Sequence, residues 1–297
     1  MYTDETIYSL NRLSLSELIT LSSSLPPVLS GRVLTVSNSI ESGYKWEHVR
    51  HGSYVKNASL ISLSSWKHAD RYVRCGIPGS QGHRNFCNQS RFCCFCSWKK
   101  SQSLLTLIAP AYRKQTHWYH FTVSHKSNVH ISSDTSVYLS RFNRAYSIVQ
   151  SMFNQSLITG AVASSDLSIP SLSGDMLFPH THIIICSDSP LIDSDDTQSP
   201  RLQSFLQEVN PDNDLSLHFN EITSETEFRH TARYLVKAID LRRIAEEDLL
   251  TSSHTEINQG LDRLLTRITQ YEHKYLKIRY FGCLSPNRKD FCGKKKD

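Results

Sequence analysis

Four short runs in the middle of the chain predict the strands of a β-sheet. They are rich in aromatic and β-branched residues and have the length that strands usually have in globular proteins. They cover residues 118–125, 158–169, 176–186 and 215–222. Pro, Ser and Gly residues lie between the second run and the third, so a turn there can join these two strands as a hairpin.

Apolar residues at helical spacing predict the remaining elements. The clearest case is residues 134–157, where Phe142, Tyr146 and Val149 recur at close to one helical turn. Further helices are predicted over residues 5–25, 101–114, 228–250 and 257–277. The order β-α-β-β-loop-β-α favours an α+β fold, in which a mostly antiparallel central sheet carries helices on one side.

Charge is distributed unevenly along the chain, although the net charge is only +5. Residues 66–120 contain nine Lys and Arg against one acid, and residues 271–297 contain eight against three. Residues 188–214 show the reverse, with seven acids and one Arg. Clustered Lys and Arg release counterions when they neutralise phosphates, so the two basic stretches favour a polyanionic partner. Charge alone is equally compatible with two solvated surfaces.

The pattern divides the chain into four parts. Residues 1–65 have no assigned role, residues 66–110 form a basic cysteine-rich module, residues 111–290 form the α+β domain, and residues 291–297 are a basic tail. The hydrophobic fraction of 39% is ordinary for a globular protein. The sequence has no run of about 18 apolar residues and no secretory signal pattern. A cytoplasmic protein without a membrane partner is therefore expected.

Cysteines are concentrated in the basic module, where five of the eight lie between positions 75 and 96. In a reducing compartment such clustering indicates a metal site rather than disulfides. Cys93 and Cys96 have the C-x2-C spacing of two thiolates that share one tetrahedral ion, and Cys75 and Cys87 can supply the other two ligands. Four thiolates leave no open position for a substrate, so the predicted ion is a structural Zn2+.

The choice of zinc ligands, and the presence of a metal at all, leave alternatives open. Cys94 and His83 compete for places in the ligand set, and buried free thiols are the alternative to a metal site. Cys186, Cys283 and Cys292 are expected to be single packed or surface thiols.

Two histidines separated by one residue suggest a second metal site, in the segment FPHTHIIIC. Residues i and i+2 of a strand point to the same face, so His180 and His182 present two imidazoles side by side. Asp166 on the preceding strand can lie beside them if the two strands form a hairpin. One carboxylate with two imidazoles suits Mg2+ or Mn2+. Paired histidines and a turn-forming Asp are also common without any metal.

The segment ARYLVK places Tyr234 and Lys237 three residues apart, which puts both on one face of the predicted helix. A phenol has a pKa of about 10 and is a poor nucleophile at neutral pH, unless a cation stabilises its anion. Lys237 is placed to help. A Tyr and a Lys on an amphipathic helix are also commonplace without catalysis.

Taken in order, these segments resemble the plasmid rolling-circle replication initiators of the HUH endonuclease superfamily. The segments are HADRYVRCG, FCNQSRFCCFCSWKKS, HFTVSH, FPHTHIIIC, ARYLVK and IRYFGCLSPNRK, and the strand with Asp166 precedes the fourth of them. The similarity spans residues 66–289, about three quarters of the chain. Several motifs in the right order are more specific than any one motif.

The resemblance implies an HUH nuclease domain over residues 111–290, preceded by a zinc-binding module. It implies that Asp166, His180 and His182 hold a catalytic Mg2+ or Mn2+, and that Tyr234 is the nicking nucleophile with Lys237 behind it. Residues that match the family's cysteine pattern are Cys75, Cys87, Cys93 and Cys96.

The implied activity is nicking and rejoining of single-stranded or hairpin origin DNA through a covalent 5'-phosphotyrosine. The implied partners are a host polymerase and a host helicase, since the chain has no G-x-x-x-x-G-K-[ST] motif of its own. One alternative is a single-strand transposase of the same superfamily, which is less favoured because only Tyr234 has the right context. Another is a non-catalytic, zinc-containing DNA-binding regulator.

Three positions depart from the family pattern. Thr181 stands between the histidines, where relatives usually carry a bulky apolar residue, and Cys94 stands where relatives typically have Pro. His230 lies one helical turn before the tyrosine, where some relatives have a carboxylate, and Glu227 lies a further turn back. Which residue activates the second DNA cleavage therefore stays open, with His230 and Glu227 as the two candidates.

Overall fold

A computed structural model describes twelve stretches of the chain. They are residues 61, 67–73, 75, 86–90, 92–130, 133–168, 176–193, 197–237, 262, 265–266, 269 and 278–286. The chain divides into two compact units. The first comprises residues 1–100, 169–176 and 236–272, and the second comprises residues 101–168, 177–235 and 273–297. The predicted domain boundaries stay a prediction.

A six-stranded sheet forms the centre of the second unit. Its strands are β1 (His117–His125), β2 (Val129–His130), β3 (Gly160–Ser168), β4 (Met176–Ser187), β5 (Leu215–Glu221) and β6 (Ile278–Gly282). Their order is β5-β1-β4-β3-β6, and β2 pairs with β4. The β1–β4, β1–β5, β3–β4 and β3–β6 pairs are all antiparallel. The predicted α+β class and the mostly antiparallel sheet are confirmed.

Five helices have described bounds. They are α1 (Ala69–Val73), α2 (Cys94–Tyr112), α3 (Thr135–Asn154), α4 (Pro200–Val209) and α5 (Glu225–Tyr234). Polar side chains fix where three of them begin. Asp134 accepts a hydrogen bond from the Ser136 amide at the start of α3, while Ser199 and Ser224 cap α4 and α5 in the same way.

Helices cover both faces of the sheet, so the expectation of helices on one side is wrong. The Tyr146 hydroxyl of α3 contacts Ser165 of β3, whose cross-strand partner is Thr181. Tyr234 of α5 lies against His182, the next residue of β4, whose side chain points to the opposite face. The physical reason is that eight of the nine residues of β3 are buried. A strand buried on both faces needs cover on both sides.

Other differences concern single elements. The predicted helix over residues 228–250 ends at Tyr234, so it is wrong for residues 235–237, and residues 238–250 lie outside the described part of the chain. Helix α4 was not predicted because residues 188–214 are strongly acidic, although Leu202 and Phe205 give it a buried face. Strand β6 was not predicted either.

Two predicted helices fall mainly outside the described residues. Residues 5–25 lie wholly outside them, and only four residues within 257–277 are described, each of them helical. Within the described part of the chain, no helix has the length and apolar character required to traverse a lipid bilayer.

Candidate active site

Strands β3 and β4 bring the predicted carboxylate and histidines together on one face of the sheet. In the antiparallel ladder Asp166 is the direct partner of His180, and Ser164 is the partner of His182. One potential ligand atom from each of Asp166, His180 and His182 lies within 4.8 Å of the others. Asp166 and His182 are buried, whereas His180 is partly exposed. The expected hairpin and its cluster are therefore present.

The contacts of His180 and Asp166 show why this cluster fits a cation. Nδ1 of His180 lies 3.1 Å from the Phe178 carbonyl oxygen, which can only accept, so Nδ1 carries the proton. In a neutral ring the Nε2 lone pair then faces Oδ2 of Asp166 at 3.7 Å. The other carboxylate oxygen accepts a hydrogen bond from the Leu167 amide at 2.9 Å. Two facing acceptors require either a proton or a cation between them, and a divalent ion suits this donor set.

His182 lies close to three other side chains, those of His120, Thr122 and His180. Its Nδ1 is 3.3 Å from Nε2 of His120 and 3.3 Å from the Thr122 hydroxyl, both on β1. Its ring is nearly perpendicular to that of His180, with centroids 4.6 Å apart. Contacts of this kind orient a histidine ligand and select its tautomer. His120 was not predicted as a site residue. The only local signal for it is that His120 and Thr122, two positions apart at the start of HFTVSH, share one face of the strand.

Tyr234 lies beside the histidines at the last residue of α5. Its ring centroid is 4.7 Å from that of His182, at an interplanar angle of 80°, and 6.0 Å from that of His120. Tyr234 and the cluster are separated in sequence by about fifty residues, so only the fold brings them together. The phenol is thus a neighbour of the candidate metal ligands.

Aromatic packing fixes the helix that carries Tyr234. Phe228 of α5 stacks on Tyr112 of α2 with ring centroids 4.2 Å apart, and it meets Trp118 of β1 edge-on at 5.0 Å. Phe228 and Trp118 are almost completely buried. Such contacts between large rings stabilise the packing of α5 on the sheet and so hold its C-terminal end over β1 and β4.

Comparison with known proteins assigns no family to this chain. No family model, curated protein or solved structure matches it significantly. Functional inference therefore depends on the side chains themselves.

Lys237 is not on the helix that carries the tyrosine. Helix α5 ends at Tyr234, and the Leu235 amide donates to the carbonyls of Thr231 and Arg233. The prediction that Tyr234 and Lys237 share one helix face is therefore wrong. The carbonyl of Val236 accepts a hydrogen bond from the Ser97 side chain, a long-range contact that no local pattern indicates. A catalytic role for Lys237 stays a prediction.

Glu227 and His230 lie on exposed positions of α5. Glu227 takes part in the helix cap: its carboxylate accepts from the Thr223 amide at 2.8 Å and from the Thr223 hydroxyl at 2.9 Å. These hydrogen bonds lower the pKa of Glu227 because they favour its charged form. The contacts give Glu227 a structural role, while the choice between Glu227 and His230 in a second cleavage stays open.

A short chain of hydroxyls explains how Thr181 fits between the two histidines. Thr181 is buried on the opposite face of β4, where relatives of the resembled family carry an apolar residue. Its hydroxyl lies 3.5 Å from that of Ser165, which is 2.5 Å from the Tyr146 hydroxyl of α3. Buried polar groups are tolerated when they have such partners. Thr181 therefore has polar partners at its buried position.

The four predicted cysteines of the basic module lie together in the first unit. All four are buried, and one sulfur from each lies within 4.8 Å of the others. The Cys75–Cys96 and Cys87–Cys96 sulfurs are 3.6 Å apart, and the Cys75–Cys93 sulfurs are 3.4 Å apart. Four sulfurs at about 2.3 Å from a tetrahedral ion lie roughly 3.8 Å from one another. The cluster can bind a metal such as zinc.

Hydrogen bonds and burial act in opposite directions on these sulfurs, and the hydrogen bond with Cys75 raises the pKa of Cys87 well above its usual range. The Cys87 amide donates to the Cys75 sulfur, and the Gln89 amide donates to the Cys87 sulfur. Hydrogen bonds from Cys75 and then Cys87 hold the pKa of Cys96 well below its usual range, whereas burial raises the pKa of Cys93. A divalent cation can replace the protons that these crowded sulfurs otherwise share.

The C-x2-C pair lies at the start of a helix. Helix α2 begins at Cys94, so Cys96 lies in its first turn and Cys93 immediately precedes it. His83 lies outside the described residues, and so does the side chain of Cys94.

Proposed function

We propose that this chain is a metal-dependent DNA nicking and joining enzyme of the HUH class, with Tyr234 as its nucleophile. One observation carries the proposal: the Tyr234 ring lies 4.7 Å from that of His182, within a cluster that also contains Asp166 and His180. The grouping consists of a phenol beside two imidazoles and a buried carboxylate. It provides a nucleophile next to a site for positive charge.

The proposed reaction exchanges one phosphodiester for another. The Tyr234 oxygen forms a bond to phosphorus, and the bond from phosphorus to the 3' oxygen breaks. The phenol loses its proton and the leaving 3' oxygen gains one. The products are a 5'-phosphotyrosine and a free 3'-hydroxyl. Because no water is consumed, the 3'-hydroxyl can reverse the step and rejoin the strand.

The chain's own residues divide the tasks. Asp166, His180 and His182 would hold Mg2+ or Mn2+, which when bound supplies positive charge to the scissile phosphate. His120 and Thr122 orient the His182 ring through its Nδ1 atom. The packing of α5 keeps the Tyr234 phenol beside that ring. Each of these contacts restricts the orientation of a group that must meet the phosphate.

Exposed aromatic and basic side chains support single-stranded DNA as the substrate. Phe178 precedes His180 by two residues on the same face of β4 and is 37% exposed. In the first unit, Trp98 is also 37% exposed and is followed by Lys99 and Lys100. Unpaired bases stack on exposed aromatic rings, while Lys and Arg neutralise the backbone. The zinc module would supply phosphate contacts and a part of the origin specificity.

The biological role that we propose is initiation of rolling-circle replication. A host polymerase would extend the free 3'-hydroxyl, and a separate host helicase would unwind the duplex. The proposed substrate is single-stranded or hairpin origin DNA in the cytoplasm. The resemblance of residues 66–289 to plasmid initiators supports this role over transposition.

The test is formation of a covalent protein–DNA adduct. The full chain is incubated with Mn2+ and a pool of single-stranded oligonucleotides labelled at the 3' end, some random and some hairpin-forming, and then resolved under denaturing conditions. We expect a labelled adduct that Tyr234→Phe abolishes and the matched control Tyr271→Phe retains. An adduct that survives Tyr234→Phe contradicts the proposal. DNA binding without any adduct would instead indicate the non-catalytic regulator.

A further inference from the structure

Two cysteines outside the metal cluster lie in direct contact. Cys186, near the end of β4, and Cys283, just after β6, have their sulfur atoms 3.5 Å apart. They are separated by 97 positions in the sequence, and both belong to the second unit. Each is a free thiol, as expected, but the direct contact between the two was not predicted. Cys292 lies outside the described residues.

Two glycines allow the sulfurs to meet. Cys186, Gly160 and Gly282 occupy one row across β4, β3 and β6. Gly282 has φ of +56°, a conformation that turns the chain at the end of β6, and the next amide, of Cys283, donates to the Thr159 carbonyl at 2.9 Å. A Cβ atom on Gly160 would lie only 2.7 Å from the Cys283 sulfur. The missing side chain at Gly160 thus leaves the space in which the Cys283 sulfur approaches Cys186.

The two thiols have different environments. Cys186 is buried, whereas Cys283 is partly exposed. The hydrogen bond with Cys283, together with burial, raises the pKa of the Cys186 thiol well above its usual range. Cys186 therefore keeps its proton, and the accessible Cys283 sulfur is the one that meets a reagent from solvent first.

We propose that Cys186 and Cys283 form an oxidative modification site that closes to an intramolecular disulfide in the presence of a hydroperoxide. The Cys283 thiolate attacks one peroxide oxygen, which breaks the O–O bond and gives a sulfenic acid. The Cys186 thiol then attacks the Cys283 sulfur and gives its proton to the departing oxygen, which leaves as water. In total, two thiols and one hydrogen peroxide give one disulfide and two waters. The sulfurs need to approach by roughly 1.5 Å to reach bonding distance.

The disulfide would connect β6 to β4 across the intervening strand β3. At present the ladder joins β6 only to β3 among the described strands. A covalent bond would keep β6 attached to the centre of the sheet even if the chain were cut between residues 235 and 278. This inference is independent of the proposed DNA chemistry, because neither cysteine belongs to the tyrosine site or to the cysteine cluster.

The test is peptide mapping of the full chain after oxidation. The protein is treated with hydrogen peroxide at a dose that converts free glutathione to its disulfide in a parallel sample. Remaining thiols are blocked with N-ethylmaleimide, and the protein is digested without reductant. We expect a peptide pair joined through Cys186 and Cys283, which dithiothreitol separates. Recovery of both cysteines in the alkylated form overturns the proposal, and so does a link from either one to Cys292.

Two variants test the geometry behind the proposal. Gly160→Ala places a methyl group against the Cys283 sulfur, so we expect the yield of the cross-linked peptide to fall several-fold while circular dichroism reports a folded sheet. Cys292→Ser is the matched control and should leave the yield unchanged. An undiminished yield in a folded Gly160→Ala protein contradicts the geometric argument. If that variant does not fold, the mapping of the unaltered chain still decides the proposal.

Discussion

Replacing Asp166 by Asn should make the chain more stable than the unaltered protein without Mn2+ and less stable than it with Mn2+. The amide has almost the same shape as the carboxylate, and its oxygen can still accept the 2.9 Å hydrogen bond from the Leu167 amide. Its NH2 group would then face Nε2 of His180, which is 3.7 Å from the present carboxylate oxygen. The change replaces two facing acceptors by a donor and an acceptor, and it removes a buried charge.

The size of each effect follows from that geometry. Without Mn2+, a new hydrogen bond to His180 stabilises the variant by about 0.5–1.5 kcal/mol relative to the unaltered chain. With Mn2+ at about 100 times its dissociation constant, the unaltered chain gains about 2.7 kcal/mol. A variant that binds Mn2+ about 100-fold more weakly gains only about 0.4 kcal/mol at the same concentration. The order of stability should therefore reverse.

Urea unfolding followed by circular dichroism measures these differences. Each protein is purified without chelators and unfolded in buffer with and without Mn2+. Asp188→Asn is a matched control, because Asp188 is an exposed carboxylate outside the cluster. It should leave the response to Mn2+ unchanged. The reasoning is refuted if Mn2+ stabilises Asp166→Asn as much as the unaltered chain, since the carboxylate would then not be a ligand.

Three further predictions follow from other parts of the molecule. Cys93→Ser should lose bound Zn2+ and make the module sensitive to protease, as measured by metal analysis and limited proteolysis, because three thiolates hold the ion less well than four. Gly282→Ala should lower the free energy of unfolding by about 2 kcal/mol or more in urea, because it forces a side chain into a positive φ. Burial and the Arg141 guanidinium lower the pKa of His125 below 6.5. The neutral His125 side chain therefore contributes fully to stability above pH 6.5, and this contribution is lost as the pH falls through the lower pKa of the folded state. The variant His125→Gln should therefore lose less stability on acidification than the unaltered chain.

Each of these predictions has a control and a contradicting result. Cys186→Ser should keep its Zn2+, and retention of full Zn2+ by Cys93→Ser would remove Cys93 from the ligand set. An unfolding midpoint for Gly282→Ala equal to that of the unaltered chain would show that the turn tolerates a side chain. Identical pH profiles for the unaltered chain and His125→Gln would show that His125 does not titrate differently on folding.

Local pattern predicted those parts of the site that depend on strand geometry. Alternation along β4 placed His180 and His182 on one face, and the hairpin placed Asp166 opposite His180. The Tyr234 position came from the order of motifs rather than from any spacing. His120 was missed because a single histidine in an aromatic run gives no sign of its neighbour until the β1–β4 pairing is known.

Local pattern alone misled or was silent on three features of the fold. The helix around Tyr234 was wrongly predicted to continue through residues 235–237, because the sequence there has helical spacing and no Gly or Pro that stops a helix. The contact of Cys186 with Cys283 depends on strand order and on two glycines. Helices were placed on one side of the sheet because the burial of both faces of β3 is not evident from its small residues, GAVASS. Sequence pattern describes neighbours along the chain, whereas these features depend on neighbours across the sheet.

The candidate metal site depends on the alignment of β3 with β4 in their hairpin. Asp166, His180 and His182 face one another only in the observed pairing, and a slip by one residue would turn the carboxylate away from both imidazoles. Insertions between the strands, in residues 169–175, would leave this pairing unchanged as long as the ladder stays in place. Such a hairpin could therefore acquire a longer connection over evolutionary time without losing its ligands, while a single deletion inside either strand would abolish them together.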